Sequence, residues 1–430
     1  MSRDHYQTGF GNHFATEAVE GALPQGQNSP QKCPLNLYAE QLSGTAFTVP
    51  RSNNQRSWLY RIRPTISDQT AYQPLHHGFF SNDFEKFLLT PTQLRWKASP
   101  FPESRTDWVD GIVTVAGVGD PLMKSGLAIY TYCCNASMEN RAFYSSDGDF
   151  IIVPQHNTLL IVTEMGRLEV EPLEICVIPR GIKFSVEVNG NARGYIAEVF
   201  NGHFKIPDLG PIGANGLANP RDFLAPTAHF EDRDCEFRIT AKFGGKLFEH
   251  SLNRSIFDVV AWHGNYYPYK YDLRHFSTIN TVSFDHPDPS IFTVLTCPSL
   301  EPGVAVLDFV IFPPRWMVSE HTFRPPYYHR NCMSEYMGNI VGGYDAKGAA
   351  FGPGCGSLHS CMSAHGPDRE SFEKGSNVDL TPHRYPDGNM QFMFESSYVL
   401  KIAPWALEEE RLDTQYLNCW RGLNKHFSSS

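Results

Sequence analysis

Residues 150–178 read FIIVPQHNTLLIVTEMGRLEVEPLEICVI. Four runs stand out in this stretch: Phe150–Pro154, Thr158–Thr163, Arg167–Val170 and Ile175–Ile178. Each is too short for a stable helix, rich in residues that suit a pleated surface, and bounded by turn residues. They predict four successive strands. Working outward, the same pattern recurs at Trp58–Ile62, Gly111–Ala116 and Leu127–Cys133, with tight turns expected at Asp147-Gly148, Asn189-Gly190-Asn191 and Gly244-Gly245. A second β-rich block opens near Ile279 and holds Ile291–Leu295, Ala305–Phe312 and Gln391–Phe394, with glycine-rich loops at Gly338–Gly343 and Gly348–Gly356. The first 60 residues are rich in Gly, Asn, Gln and Pro and are expected to lie across the rest of the fold. From Ala406 to Trp420, Leu407, Leu412, Tyr416 and Leu417 recur at roughly helical spacing after Pro404, which predicts one closing helix. Many short strands and few helices mark an all-β-dominated chain, a β-sandwich or jelly roll.

The chain has 430 residues, more than one hydrophobic core accommodates, so two domains are expected, 1–278 and 279–430. With 34 Gly and 31 Pro, turns are plentiful, as many short strands require. A net charge of −10, spread along the chain, argues against nucleic-acid or anionic-membrane partners. The opening residues, with Asp4, His5, Asn12 and His13, form no apolar leader, and no run of eighteen apolar residues occurs. Ten scattered cysteines without a Cys-x-x-Cys pair fit a reducing compartment, so a cytoplasmic location is expected.

Chemistry concentrates late in the chain. His329 precedes Glu335 by six residues, and His359 and His365 follow within about thirty. Fully extended, His329 and Glu335 would lie ~20 Å apart, and on a helix they would point about 120° apart. To share one ion with bonds near 2 Å, the chain must fold back between them, and Asn331–Ser334 supplies turn residues. Two histidines and a carboxylate leave about three positions open on iron(II), where substrate and oxygen can meet. From spacing alone, unmetallated core or surface histidines compete with this reading, and nothing chooses between His359 and His365. His286, in Asp285-His286-Pro287, reads as a turn histidine, Tyr344 as an aromatic after a turn, Cys332 as a packed thiol, and Trp316 and Phe323 as core. The run Gly352–Gly356 lacks a P-loop ending, and no Gly-x-Ser-x-Gly elbow occurs.

The stretch from Phe323-Arg324-Pro325-Pro326 through His329 to Glu335 resembles the iron-site signature of the homogentisate 1,2-dioxygenases. So do Ser357-Leu358-His359-Ser360, Ala364-His365-Gly366-Pro367-Asp368 and, at the other end, Tyr6-Gln7-Thr8-Gly9-Phe10-Gly11-Asn12-His13-Phe14. The order and the chain length also match. The resemblance implies an Fe(II) enzyme that opens homogentisate with O₂ to maleylacetoacetate, in tyrosine and phenylalanine breakdown. It makes His329, Glu335 and His365 the iron ligands, with His365 also beside the substrate. His359 becomes a neighbour of the ligands, His286 the acid/base that holds a substrate hydroxyl, and Tyr344 a substrate contact. It further implies a homo-hexamer, a dimer of trimers. The piece Ile178-Pro179-Arg180-Gly181 is similar to the second motif of cupin barrels, so the fold expected is a cupin-type jelly roll or β-sandwich whose N-terminal part holds no metal. Two alternatives stand beside this reading: a cupin-type Fe(II) dioxygenase for another hydroquinone or catechol acid, and a metal-free β-sandwich that binds a small molecule.

Overall fold

The computed structural model describes residues 6–208, 217–344, 346–348 and 350–429. Residues 1–5 of the opening segment and Ala349 of the second glycine-rich loop lie outside the described residues. As far as it is described, the chain forms two compact units: Met1–Asp83 with Phe101–Phe204 and Ala218–His275, and Phe84–Pro100 with Lys205–Leu217 and Phe276–Ser430.

In the first unit the quoted stretch forms strands Asp149–His156, Leu159–Thr163, Gly166–Val170 and Glu174–Ile178. They divide between two sheets, because Asp149–His156 pairs with Glu174–Ile178 while Leu159–Thr163 pairs with Gly166–Val170. The two faces meet through aromatic rings: Phe143 and Phe184 from one sheet against Phe150 and Tyr130 from the other, with Phe143 and Phe150 centroids 5.7 Å apart. Edge-on and tilted contacts of this kind add to the burial itself. Gly244 and Gly245 both take positive φ, 59° and 74°, and close the hairpin between Phe237–Phe243 and Lys246–Leu252. Only glycine adopts that pair of conformations without strain. The glycine-rich opening segment pairs along other strands, Tyr6–Thr8 on Phe223–Pro226 and Phe14–Glu17 on Val259–Gly264. Arg180 of the Ile178–Gly181 piece is a strut. Its guanidinium donates to Asp149 and to the carbonyls of Phe200, Asn201 and Gly202.

The second unit is built on one antiparallel sheet, ordered Thr293–Pro298, Ala305–Phe312, Met390–Ser396, Ser334–Val341, Gly356–His359, Leu94–Trp96. Side chains alternate across it. Phe309, Phe394, Tyr336 and Trp96 line one face as a run of packed rings. The other face carries a row set by register: Asp308 opposite Glu395, Glu395 opposite Glu335, and Glu335 opposite His359.

Five expectations fail. Gly338–Val341, expected as part of a loop, completes the strand Ser334–Val341, and Phe323, expected in the core, is only half-buried. The closing helix is instead two short 3₁₀ turns, Pro404–Leu407 and Tyr416–Trp420. Between them the chain lies along the edge strand Leu94–Trp96: Lys97 N–H donates to Arg411 O, and Asp413 N–H to Arg95 O. Backbone groups used in that pairing cannot also close a helix. Trp316 is 58% exposed, because in the two-residue strand Trp316–Met317 it is Met317 that turns inward. Cys332 is exposed rather than packed. The α-helix among the described residues is Arg369–Asn377, capped by Asp368, which accepts from Ser371 N. No helix among the described residues is long and apolar enough to cross a membrane.

Candidate metal centre

His329 and Glu335 meet because the chain does fold back between them. Asn331 Oδ1 accepts from Met333 N at 2.7 Å, an Asx turn that releases the chain into the strand Ser334–Val341 with Glu335 at its second position. His329 lies outside that strand and pairs instead with His365 through two backbone bonds, N–H to O at 2.9 and 3.1 Å. Gly366 permits the approach, since a Cβ there would lie 2.5 Å from the Tyr328 ring and 2.9 Å from its Cα.

The three side chains converge. Glu335 Oε1 lies 3.5 Å from His329 Nε2, and Glu335 Oε2 lies 2.9 Å from His365 Nε2. One ligand atom from each residue lies within 4.8 Å of the others, as binding one ion requires. Adjacent corners of an octahedron with bonds of roughly 2.1 Å are ~3 Å apart, so each carboxylate–imidazole separation is close to what neighbours on one ion need. Each imidazole is oriented for the task. His329 Nδ1 is 2.8 Å from Tyr327 O, and His365 Nδ1 is 2.9 Å from Ser363 O. A carbonyl only accepts, so both Nδ1 atoms carry hydrogen, which leaves the two Nε2 atoms facing Glu335 as the nitrogens that an ion would take once they give up any proton.

His359 differs. Its Nε2 is taken by Tyr416 Oη at 2.7 Å, and its Nδ1 is 3.9 Å from Glu335 Oε2. Its ring stacks on His365 at 4.1 Å, and burial pushes its pKa down to about 3. Stacked on His365 and tied to Tyr416, it stands apart from the three converging side chains, a difference in placement that spacing could not show.

Charge is balanced tightly here. Burial pushes Glu335 up, but the imidazoles of His329, His359 and His365 that face it outweigh this and hold the carboxyl well below the usual range. The hydrogen bond to Glu335 raises His329. Asn331 Nδ2 also donates to Glu335 Oε1, a contact that sequence reading missed because Asn331 registered only as a turn former. Glu395 was missed as well. Burial first, then the Glu335 and Asp308 charges, push it up to about 7. The alternation of Met390–Ser396, which puts Glu395 on the same face as Met393, was the signal that could have found it.

Beside the triad lies a cavity of about 370 Å³. A cavity of roughly 150 Å³ takes benzene, so this one has room for a substituted ring. His286, Tyr344, Lys347 and Glu395 line it with the three converging residues, and Phe312, Met337 and Met393 supply apolar wall. His286 Nδ1 is 2.8 Å from Pro287 O, and its ring meets Tyr327 edge-on at 6.1 Å. Tyr327 in turn donates to Asp288 at 2.6 Å. Tyr344 packs on Phe312 at 5.5 Å. Lys347 is buried, with its pKa pushed down to about 8 by that burial, and Nζ donates to Tyr416 Oη at 2.6 Å.

The family model described as homogentisate 1,2-dioxygenase N-terminal matches residues 5–273, and the C-terminal model matches residues 274–427. The chain is 56% identical to homogentisate 1,2-dioxygenase of Drosophila melanogaster, over 99% of either chain. It is 58% identical to that of Caenorhabditis elegans, over 98% of each, and 56% identical to that of Homo sapiens, over 100% of this chain and 98% of the relative. Among solved structures, a point mutant of Bacillus subtilis oxalate decarboxylase matches 80% of this chain and 87% of its own at 11% identity, with a TM-score of 0.30, which carries no argument. With both halves matched in order and relatives aligned from end to end, the chain belongs to the homogentisate 1,2-dioxygenase family.

Proposed function

We propose that this protein opens the ring of homogentisate (2,5-dihydroxyphenylacetate) with O₂ to give maleylacetoacetate, the ring-cleaving step of tyrosine and phenylalanine breakdown. Iron(II) would be held by His329, Glu335 and His365. The observation that carries the reading is the convergence of two Nε2 atoms and one carboxylate on the wall of a ring-sized cavity. The donor set fits iron(II): two imidazoles, a carboxylate and no thiolate, with one side left open. When bound, the ion supplies open positions where a phenolic oxygen and O₂ meet, and lets electron density pass between them.

The chain's own residues bind the substrate and handle its proton. With Nδ1 bonded to a carbonyl, His286 has its basic nitrogen at Nε2, which takes and returns a substrate hydroxyl proton as the ring gains ketone character. Tyr344, on the same cavity, offers a phenol donor. Lys347, a buried cation on the same cavity, suits the substrate's carboxylate. Glu395, held as a neutral acid to about pH 7, adds no second negative charge beside Glu335. Phe312, Met337 and Met393 keep the ring's surroundings apolar, which strengthens each of these polar contacts.

The same reading takes each β-rich region as a cupin-type jelly roll or sandwich, residues 1–278 without metal and 279–430 with it. What supports this is the facing of two sheets in the first unit and the Ile178–Gly181 motif. It places the protein in the cytoplasm, in keeping with ten cysteines free of disulfides. It takes the working form as a hexamer, a dimer of trimers, which sedimentation can check. The test of function is anaerobic loading with iron(II), then oxygen consumption with homogentisate against its 3,4-dihydroxy isomer. Uptake with homogentisate alone is expected. Equal uptake with the isomer, or none with either, overturns the assignment.

A further inference from the structure

Tyr416, on the C-terminal turn Tyr416–Trp420, has a role that neither its spacing nor the resemblance assigns. Its Oη lies between Lys347 Nζ at 2.6 Å and His359 Nε2 at 2.7 Å. Lys347 lines the cavity, and His359 faces Glu335 with its other nitrogen. The direction of this chain follows from what each group can do. A lysine ammonium only donates, so Tyr416 Oη must accept from Nζ. Its one hydrogen is then left for His359 Nε2, which must accept. The hydrogen of a neutral His359 therefore sits on Nδ1, the nitrogen turned toward Glu335 Oε2.

The phenol is held so that it cannot swing away. Arg95 stacks over the Tyr416 ring, 4.4 Å from its centroid, and is itself fixed by Asp413 at 2.7 Å from Nε. Trp420 packs against the same ring at 5.1 Å, and Tyr416 is 1% exposed. A buried phenol clamped on its face and bonded twice at its oxygen is a rigid connector.

We propose that Tyr416 is a positioning residue: it fixes His359 in the Nδ1–H tautomer, with that polar hydrogen turned toward Glu335 Oε2 at 3.9 Å, and it anchors Lys347 at the cavity wall. The proposal rests on the iron reading for its consequence, since a carboxylate ligand steadied from behind holds an ion better. The C-terminal turn thereby becomes part of the centre. Its geometry is testable without iron.

Two measurements on the full-length chain decide it. The first is the ¹⁵N imidazole spectrum of His359 in the folded, metal-free protein, assigned by its loss in His359→Asn. A bare Nε2 with a protonated Nδ1 is expected, and a protonated Nε2 overturns the proposal whatever the metal does. The second is anaerobic iron(II) titration, with the metal alone as probe, of the wild type, Tyr416→Phe, His359→Asn and the double variant. Tyr416→Phe should weaken iron(II) binding by about 10–100-fold, the usual effect of losing a group that orients a ligand. The Asn amide stands where Nδ1–H stood and needs no tyrosine to orient it. In that background Tyr416→Phe should therefore change affinity by less than about twofold. An undiminished effect in the double variant, or none in the single one, overturns the proposal. A wild type that binds no iron(II) would sink the functional reading instead and leave the tautomer result standing.

Discussion

Replacing Glu395 with glutamine tests the electrostatics of the cavity quantitatively. In the folded chain, burial together with the charges of Glu335 and Asp308 keeps Glu395 protonated up to about 7, whereas its ordinary value is 4.5. Between those values the folded state binds more protons than the unfolded one. This contribution is fully present below pH 4.5 and is lost as pH rises through 7. At about 1.4 kcal/mol per pH unit, the loss amounts to about 3 kcal/mol at most. Glutamine is close in shape and does not titrate, so Glu395→Gln should remove the loss. The assay is urea denaturation of the metal-free protein at pH 5 and pH 8. The wild type should lose up to about 3 kcal/mol more than the variant over that interval. Iron(II) loading should shrink the difference, because a nearby cation favours the ionised carboxylate. Identical pH dependence for wild type and variant in the metal-free state would refute the reasoning and leave Glu395 an ordinary solvated acid.

Glu335→Gln should preserve the fold and lose iron retention by more than the roughly 10–100-fold that outer changes cause, as read by metal analysis after gel filtration. Native iron content in that variant would remove Glu335 from the ligand set. His286→Gln should leave iron content unchanged and lower turnover by about 10²–10⁴-fold, the range of a lost acid/base group; unaltered kcat would assign the proton handling elsewhere. Arg324 donates to the carbonyls of Ser319, Leu380 and Thr381 and so ties the segment leading to His329 onto residues 380–383. Arg324→Met should cost about 3 kcal/mol or more by denaturant melt, because several buried carbonyls lose a charged donor at once. A loss under about 1 kcal/mol would show that the carbonyls find other partners.

Local patterns carried most of the strands, because a short run of Val, Ile and Phe between turn residues has few other ways to bury itself. Ala305–Phe312 falls where the sequence pattern puts it, and Phe150–Pro154 lies inside Asp149–His156. The tail misled because helical spacing says nothing of an available sheet edge, and the edge at Leu94–Trp96 won. Trp316 misled because hydrophobicity does not reveal which way a two-residue strand turns. At the site, the need for a fold-back between His329 and Glu335 was legible, and Asn331 supplies it. The roles of Glu395, Lys347 and Tyr416 were not. Each depends on register or on a contact across tens of residues: Glu395 opposite Glu335, and Tyr416 touching both Lys347 and His359. Single-chain spacing holds no record of such pairings.

Anomalous diffraction at the iron edge, from crystals loaded anaerobically with iron(II), tests the central claim most directly. One peak is expected, at roughly 2.0–2.2 Å from His329 Nε2, His365 Nε2 and a Glu335 carboxylate oxygen, the bonding range for such donors, with His359 outside it. A peak bonded to His359 in place of one of these, or no peak beside Glu335, would contradict it.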